Sequence, residues 1–240
     1  MSQVTSNAVS ADSLEIPLID FNSFLSGDGS TRKATAQAIL SGFQNAGFIY
    51  LKNHSISRSA VQKTFEESAN FFRRPDDQKL SLDWTGPEAN RGYSQPGREK
   101  TSNAMDLDDV SKQREQEGAD LKESFEIGRE GEPGHPNQWP DGFDEDGKRF
   151  KAHMIEFFEQ CKRMYVQVMR AIAIGLGLEE TWFAGFCDGG DNTLRLLHYP
   201  EVKSEVFKNN KNALRAGAHS DYGAITLVSP QSHPGIHTKC

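Results

Sequence analysis

One stretch limits the folds open to this chain more than any other. Between Asp144 and Ile174 the residues Phe150, Met154, Phe157, Cys161, Tyr165 (or Met164), Val168 and Ile172 recur at intervals of three and four. That spacing predicts a single long amphipathic helix, apolar along one stripe and charged opposite, closed by Gly175 and Gly177. A helix of this kind needs a broad apolar surface to lie on, so the rest of the chain must supply a core. Its aromatics and methionines are read as that core, and Cys161 as packing beside them.

The segments before the helix supply candidates. Ile16 to Phe21 (IPLIDF) reads as a strand with Pro17 at its start or edge. Ser30 can cap a helix to about Asn45, with Ala34, Ala38 and Phe43 on one side and Gly47 at its end. Phe48 to Lys52 reads as a second strand. Ser57 opens another helix, whose Val61, Phe65, Ala69 and Phe72 fall at helical spacing and which Pro75 ends. Arg91-Gly92-Tyr93 opens an irregular section, Gly97 to Lys122 reads as a long solvated loop, and Ser124 to Ile127 as a return to strand. After the long helix comes a short turn over Glu179 to Phe186. Thr193 to Tyr199 (TLRLLHY) is a strand, and Ala218 to Val228 holds two extended pieces around Gly223. Helices first and strands later predict an α/β-mixed or α+β protein with a β-rich C-terminal core.

The 240 residues, 36% hydrophobic and 25% charged, suffice for one large domain or two small ones without disulfide staples. The net charge of −7 argues against nucleic acid or an anionic membrane as the main partner. No apolar run approaches the ~20 residues of a membrane helix. Met1 to Ser13 is polar, without the pattern of a secretory signal, and reads as a disordered lead to a cytoplasmic protein. Three cysteines, Cys161, Cys187 and Cys240, without Cys-x-x-Cys spacing, give neither a disulfide framework nor a thiolate metal site.

Chemistry enters at His219-Ser220-Asp221. In a strand, residues i and i+2 face the same way, so an imidazole and a carboxylate can converge on one cation. Two histidines and a carboxylate on one face, with the remaining positions open, suit iron(II) that activates oxygen. The triplet alone is a common pattern: seven histidines and sixteen aspartates give roughly half such a triplet by chance. Its surroundings decide its meaning.

AHSDYGAITLV resembles the metal-ligand strand of the iron/2-oxoglutarate-dependent dioxygenases, isopenicillin N synthase-like branch. IPLIDF resembles that family's opening strand, and GFQNAGFIYLKNHSIS (42–57) its helix-to-strand signature ending in an Asn-His pair. FFRRPDDQK (71–79), NRGY (90–93), DLKESFEIG (120–128) and LRLLHYP (194–200) follow in the family's order. The resemblance runs from Ile16 to Leu227. It implies a double-stranded β-helix (jelly roll) core with flanking N-terminal helices. It also implies Fe(2+), 2-oxoglutarate and O2 as cofactor and co-substrates, and a small-molecule substrate oxidised at an unactivated C–H bond. By the same resemblance His219 and Asp221 are iron ligands, and Tyr199 hydrogen-bonds the co-substrate carboxylate. Many members place Asn two residues before that tyrosine; this chain has Leu197. His54 belongs to the Asn-His turn, His198 packs facing away from Tyr199, and His135 and His153 lie on a loop and on a helix surface.

The resemblance further implies a C-terminally truncated member, with the last part of the jelly roll missing. Only nineteen positions follow Asp221, and VSPQSHPGIHTKC replaces the strand expected after Leu227. The family's distal histidine and Arg-x-Ser pair are absent, and the prolines beside His233 and His237 disfavour them as ligands. Val228-Ser229 can be encoded by a splice-donor sequence, so a retained intron accounts for the tail. A jelly roll without its closing strands leaves unpaired edges, and the expectation is poor stability. The resulting division is 1–13 lead, 14–135 N-terminal dioxygenase region, 136–228 long helix plus the start of the jelly roll, and 229–240 atypical tail. The alternatives are a catalytically inactive product, or an iron oxidase of the same branch that does not use 2-oxoglutarate. A zinc hydrolase lacks a His-Glu-x-x-His motif.

Overall fold

The computed structural model describes residues 5–11, 14–84, 90–98, 121–187, 189–202, 221 and 223–229. The chain divides into two compact units, one of residues 1–60 with 159–191, the other of 61–158 with 192–240.

In the first unit, strands β1 (Thr5–Ala11), β2 (Leu14–Asp20) and β3 (Tyr50–Lys52) form a sheet in that order, β1 antiparallel and β3 parallel to β2. The disordered lead expected from composition is therefore a strand over its central residues. Thr5 pairs with Ile19 and Ala11 with Leu14, and the register shifts between Asn7 and Val9. Asn7 is the partner of Pro17, which has no N–H to give the ladder, and the irregularity falls beside it. Pro17 thus sits inside a strand, at a bulge and before the stretch that pairs with β3.

Two helices, α1 (Asn22–Ser26) and α2 (Gly29–Ala46), make the connection that a parallel β2–β3 pair requires. The cap of α2 is Asp28, not Ser30: Asp28 Oδ1 accepts from the Thr31 backbone N–H at 2.8 Å and from the Ser30 hydroxyl at 2.8 Å. These bonds hold its carboxyl below the ordinary range. Gly47 closes the helix in the left-handed region (φ 72°), as expected. The buried face is Thr35, Ala36, Ile39 and Gly42, whereas Ala34 is exposed. The stripe is turned away from the expected alanines because Ile39 carries the apolar area and Gly42 permits close approach. A Cβ on Gly42 would collide with Ile49 Cγ2 and lie 2.9 Å from Pro17 Cγ.

The second unit is built on strands β4 (Gly92–Ser94), β5 (Glu123–Ile127) and β6 (Leu194–His198), all antiparallel. β4 replaces the irregular section expected at Arg91–Tyr93, since pairing with Ser124, Phe125 and Glu126 orders it. Helix α3 (Arg58–Phe72) starts with the Ser57 hydroxyl accepting from the Ala60 N–H, and α4 (Asp76–Leu80) begins after Pro75. The long helix α5 (Glu145–Gly175) forms as its periodicity predicts. It starts beside Asp144, whose Oδ1 accepts from the Gly147 N–H. The paired Arg74 guanidinium pulls the Asp144 carboxyl down to about 2. Phe150, Met154 and Phe158 join Phe71, Phe72, Leu82, Tyr93, Phe125, Ile127 and Leu196 in one apolar cluster.

Two expectations about helix faces change here. On α3 the fully buried positions include Thr64, Glu67 and Ser68, while Val61, Phe65 and Ala69 are only half-buried. His153, expected on a surface, is 7% exposed, hydrogen-bonded through Nε2 to Thr64 Oγ1 at 2.8 Å and stacked on Phe157. Glu67 receives Arg149 Nε at 2.8 Å. A polar strip of α3 meets polar groups of α5, and Thr64, Glu67 and His153 can be buried because a partner satisfies each, His153 for Thr64 and the exposed Arg149 for Glu67. The short turn after α5 ends in α6 (Ala184–Cys187). Cys161 is half-buried, and burial pushes its thiol up to about 11, in keeping with packing.

Candidate functional site

His219 lies outside the described residues. Asp221 is exposed and its Oδ2 accepts a hydrogen bond from the Thr226 hydroxyl. Residues 223–229 are irregular, so the extended pieces expected around Gly223 are not strands among the described residues. A strand is defined by its ladder, and the described residues give this stretch none. No group of three or more His, Cys, Asp or Glu that could hold a metal occurs among the described residues. Asp221 is the right kind of ligand for a hard ferrous ion, but the described residues do not themselves complete an iron site.

Tyr199 follows directly on β6, and that strand gives it a direction. Burial alternates along it: Leu194, Leu196 and His198 turn toward the apolar cluster, while Arg195, Leu197 and Tyr199 turn outward. Tyr199 is 37% exposed, and a phenol hydroxyl can both donate and accept a hydrogen bond. Leu197 on the same side offers no such donor. His198 packs away from Tyr199, as expected.

Cross-strand partners make the two faces of this sheet differ. On the cluster side, Glu123 is buried and receives three donors. Lys79 Nζ lies 3.0 Å and the Tyr93 hydroxyl 2.5 Å from Oε2, and His198 Nδ1 lies 2.6 Å from Oε1. Burial raises the Glu123 carboxyl, but the bonds from Tyr93, His198 and Lys79 outweigh it and hold the group below its ordinary value. The Tyr93 phenol is driven far up by burial and by the same carboxylate. On the opposite side Glu126, 0% exposed, accepts from Ser124 Oγ at 2.8 Å and Trp84 Nε1 at 2.9 Å and pairs with Arg195 Nε at 3.0 Å. Glu123 is not set up for acid–base work, because fixed donors hold it ionised, and Glu126 is likewise occupied by three donors. Both hold neighbouring groups in place. Sequence reasoning does not find the two: Glu123 and Glu126 stand in DLKESFEIG, and no periodicity marks a charge as buried. The one hint is the Glu-x-x-Glu spacing across a short strand, which puts one carboxylate on each face.

His54 keeps the structural role expected of it. Asn53 adopts φ 54° and donates from Nδ2 to Asp20 Oδ2 at 2.8 Å, while His54 Nδ1 accepts from the Ile56 N–H.

Comparison with known proteins adds what the geometry leaves open. The profile of the non-haem dioxygenase in morphine synthesis N-terminal family matches residues 16–142. The chain belongs to the non-haem dioxygenase family. Within it, the chain is 33% identical to the 2-oxoglutarate-Fe(II) type oxidoreductase ppzD of Metarhizium rileyi, over 91% of this chain and 61% of that protein. It is 30% identical to the 2-oxoglutarate-dependent dioxygenase ecdK of Aspergillus rugulosus, over 93% of this chain and 67% of that one. A full-length Neurospora crassa protein, solved in complex with alpha-KG, superimposes with a TM-score of 0.79 at 54% identity, over 90% of this chain and 64% of that one. The same Neurospora protein with alpha-KG and thymine gives 0.79 at 55%, over 91% and 65%. The α+β, jelly-roll class expected from the sequence is thus the fold of these oxygenases. The chain spans 61% to 67% of the length of these relatives.

Proposed function

We propose that the protein is an Fe(II)- and 2-oxoglutarate-dependent oxidoreductase of a small molecule, and that its substrate is the 5-methyl group of a pyrimidine base. The observation that carries this is the 54–55% identity, over nine-tenths of the chain, to a Neurospora crassa protein solved with alpha-KG and with thymine. That protein is also solved with 5-formyluracil, which differs from thymine only in the oxidation level of the 5-substituent. His219 and Asp221 are the proposed iron ligands and Tyr199 the proposed contact to the co-substrate carboxylate, on the strength of the family motif. When bound, iron(II) with 2-oxoglutarate supplies the oxidising chemistry: O2 is divided between succinate and the substrate's C–H bond, and CO2 is released. The chain's own part is to orient the two substrates and keep the pocket dry. No helix among the described residues is long and apolar enough to cross a membrane. The acidic balance argues against nucleic acid or an anionic membrane as partner, and the proposed compartment is the cytoplasm. The proposed division remains an N-terminal region over 14–135 and an oxygenase core beginning in 136–228.

The test is turnover by the full-length protein supplied with iron(II), ascorbate, 2-oxoglutarate and thymine in air. Succinate and 5-hydroxymethyluracil should form in equal amounts, and uracil should give no hydroxylated product. Absence of thymine-dependent succinate would remove the substrate assignment. Absence of any 2-oxoglutarate binding would remove the reaction class.

A further inference from the structure

We propose that Glu123 and His198 are positioning residues for Tyr199, fixing from the cluster side of the sheet the phenol at the end of β6 that holds the 2-oxoglutarate carboxylate. The inference rests on the functional reading above and extends it to two residues that nothing in the family motif assigns.

Leu197 is apolar, so the outward face of β6 offers Tyr199 no polar neighbour two residues away to share the carboxylate. A phenol acting alone must be held well, because misplacing a single hydrogen-bond donor weakens the bond it makes. Tyr199 lies one residue past the last ladder pair, Glu123 opposite His198, so its backbone is no longer held by strand pairing. The constraint comes from the residue before it. His198 Nδ1 is bonded to Glu123 Oε1 at 2.6 Å, and its ring is stacked on Phe72 at 5.2 Å with the planes 23° apart. Glu123 is itself immobilised by Lys79 of α4 and Tyr93 of β4. The His198 ring is therefore fixed in position and in plane. Because neighbouring side chains on a strand point to opposite faces, fixing His198 inward fixes the direction in which Tyr199 leaves the sheet. Lys79 and Tyr93 thus reach the site through two intermediaries, Glu123 and then His198.

The test uses the full-length protein and three variants. His198→Phe keeps the ring on Phe72 and deletes the bond to Glu123. His198→Asn restores a donor where Nδ1 stood. Tyr199→Phe removes the proposed contact. Binding of 2-oxoglutarate is measured by calorimetry on the manganese-loaded protein without turnover, and KM and kcat are measured separately. We expect His198→Phe to weaken 2-oxoglutarate binding and raise its KM about tenfold, near the worth of one hydrogen bond. The KM for thymine and the kcat at saturating 2-oxoglutarate should stay within about twofold. His198→Asn should recover most of the loss. The double variant His198→Phe/Tyr199→Phe should bind no worse than Tyr199→Phe alone, since groups acting in series are not additive. A folded His198→Phe that binds 2-oxoglutarate like the parent overturns the proposal, and so does an additive double variant or a loss confined to melting temperature. A parent protein that binds no 2-oxoglutarate sinks the functional reading, and this inference with it.

Discussion

The sheet of β1 to β3 and the sheet of β4 to β6 are each three strands wide, yet they are held by different means. The first is organised by apolar shape and backbone chemistry: Ile16 and Ile19 buried on β2, Gly42 opening α2 to Ile49 and Pro17, Gly47 in the left-handed region. The second has a central strand, β5, whose five residues are all buried although two are glutamates. Each glutamate faces a different side and is fully engaged. Burying a carboxylate costs several kcal/mol unless donors replace its water. The difference teaches where mutation should hurt. In the first sheet the penalty should follow volume, and in the second it should follow unpaired charge.

The largest effect should therefore come from Glu123→Ala. It strands Lys79, whose side chain is 8% exposed, without the partner 3.0 Å away and leaves the Tyr93 hydroxyl unpaired. Breaking a buried pair by removing one member costs about 3–5 kcal/mol. A loss of unfolding free energy in urea well under that would mean that Asp76, 3.2 Å from Lys79 Nζ, takes over the charge. Replacing Lys79 and Glu123 together by methionine and leucine should be much milder, since no charge is left behind.

Gly42→Ala tests the other sheet. The added methyl has nowhere to go between Ile49 and the stiff ring of Pro17, and overpacking of this kind costs about 1–3 kcal/mol. If the variant is as stable as the parent by chemical denaturation, shape does not govern that sheet and the contrast fails.

How far the sequence carries the same contrast depends on which physical signal each region uses. The helices α2, α3 and α5 and the strands β2, β3, β5 and β6 follow from periodicity and turn residues, because apolar burial leaves a period. β4 escapes that reading because three residues carry no period and are ordered only by pairing with β5. β1 escapes it because a polar strand needs no apolar alternation when a neighbour supplies the ladder. The stripe on α3 is legible only in part: Phe72 is buried, but so are Thr64 and Glu67, whose burial depends on His153 and Arg149 far along the chain. The same limit hides Glu123 and Glu126. A buried charge is defined by partners distant in sequence, and composition does not record them. Of the candidate site, Tyr199 lies on the outward face of β6, as alternation implies, while His219 lies outside the described residues.

His153 gives the contrast a pH dependence. Burial pushes its imidazole below the ordinary value of 6.5, assisted by Lys63, while Glu67 and Glu156 pull the other way. A histidine with a depressed folded value binds its proton more readily when unfolded. Stability is thus full above about pH 6.5 and is lost as pH falls toward the folded value. One proton limits the slope to about 1.4 kcal/mol per pH unit, and partial screening makes it smaller. His153→Asn, which keeps a polar partner for Thr64, should flatten denaturation midpoints between pH 7 and pH 5 relative to the parent. An unchanged slope would place the responsible proton elsewhere.

The smallest effect discriminates between two neighbouring residues at the start of α2. A local reading of the sequence favours Ser30 as the cap, whereas Asp28 takes the Thr31 N–H. Loss of an N-cap side chain exposes a helix donor that nothing else in the first turn satisfies. Asp28→Ala should therefore lower the melting temperature by about 2–4 °C in a chain of this size. Ser30→Ala, which removes only an exposed hydroxyl donating to the same carboxylate, should shift it by under about 1 °C. The effect should also depend on pH in the same direction as that of the buried His153, but in the lower, carboxyl range. Asp28 is held ionised by donors that the unfolded chain lacks, so its contribution is complete above the ordinary carboxyl range and fades as acid protonates it. Equal losses from the two variants would mean that the hydroxyl and the carboxylate cap the helix together, and the first sheet would then share the second's dependence on paired polar groups.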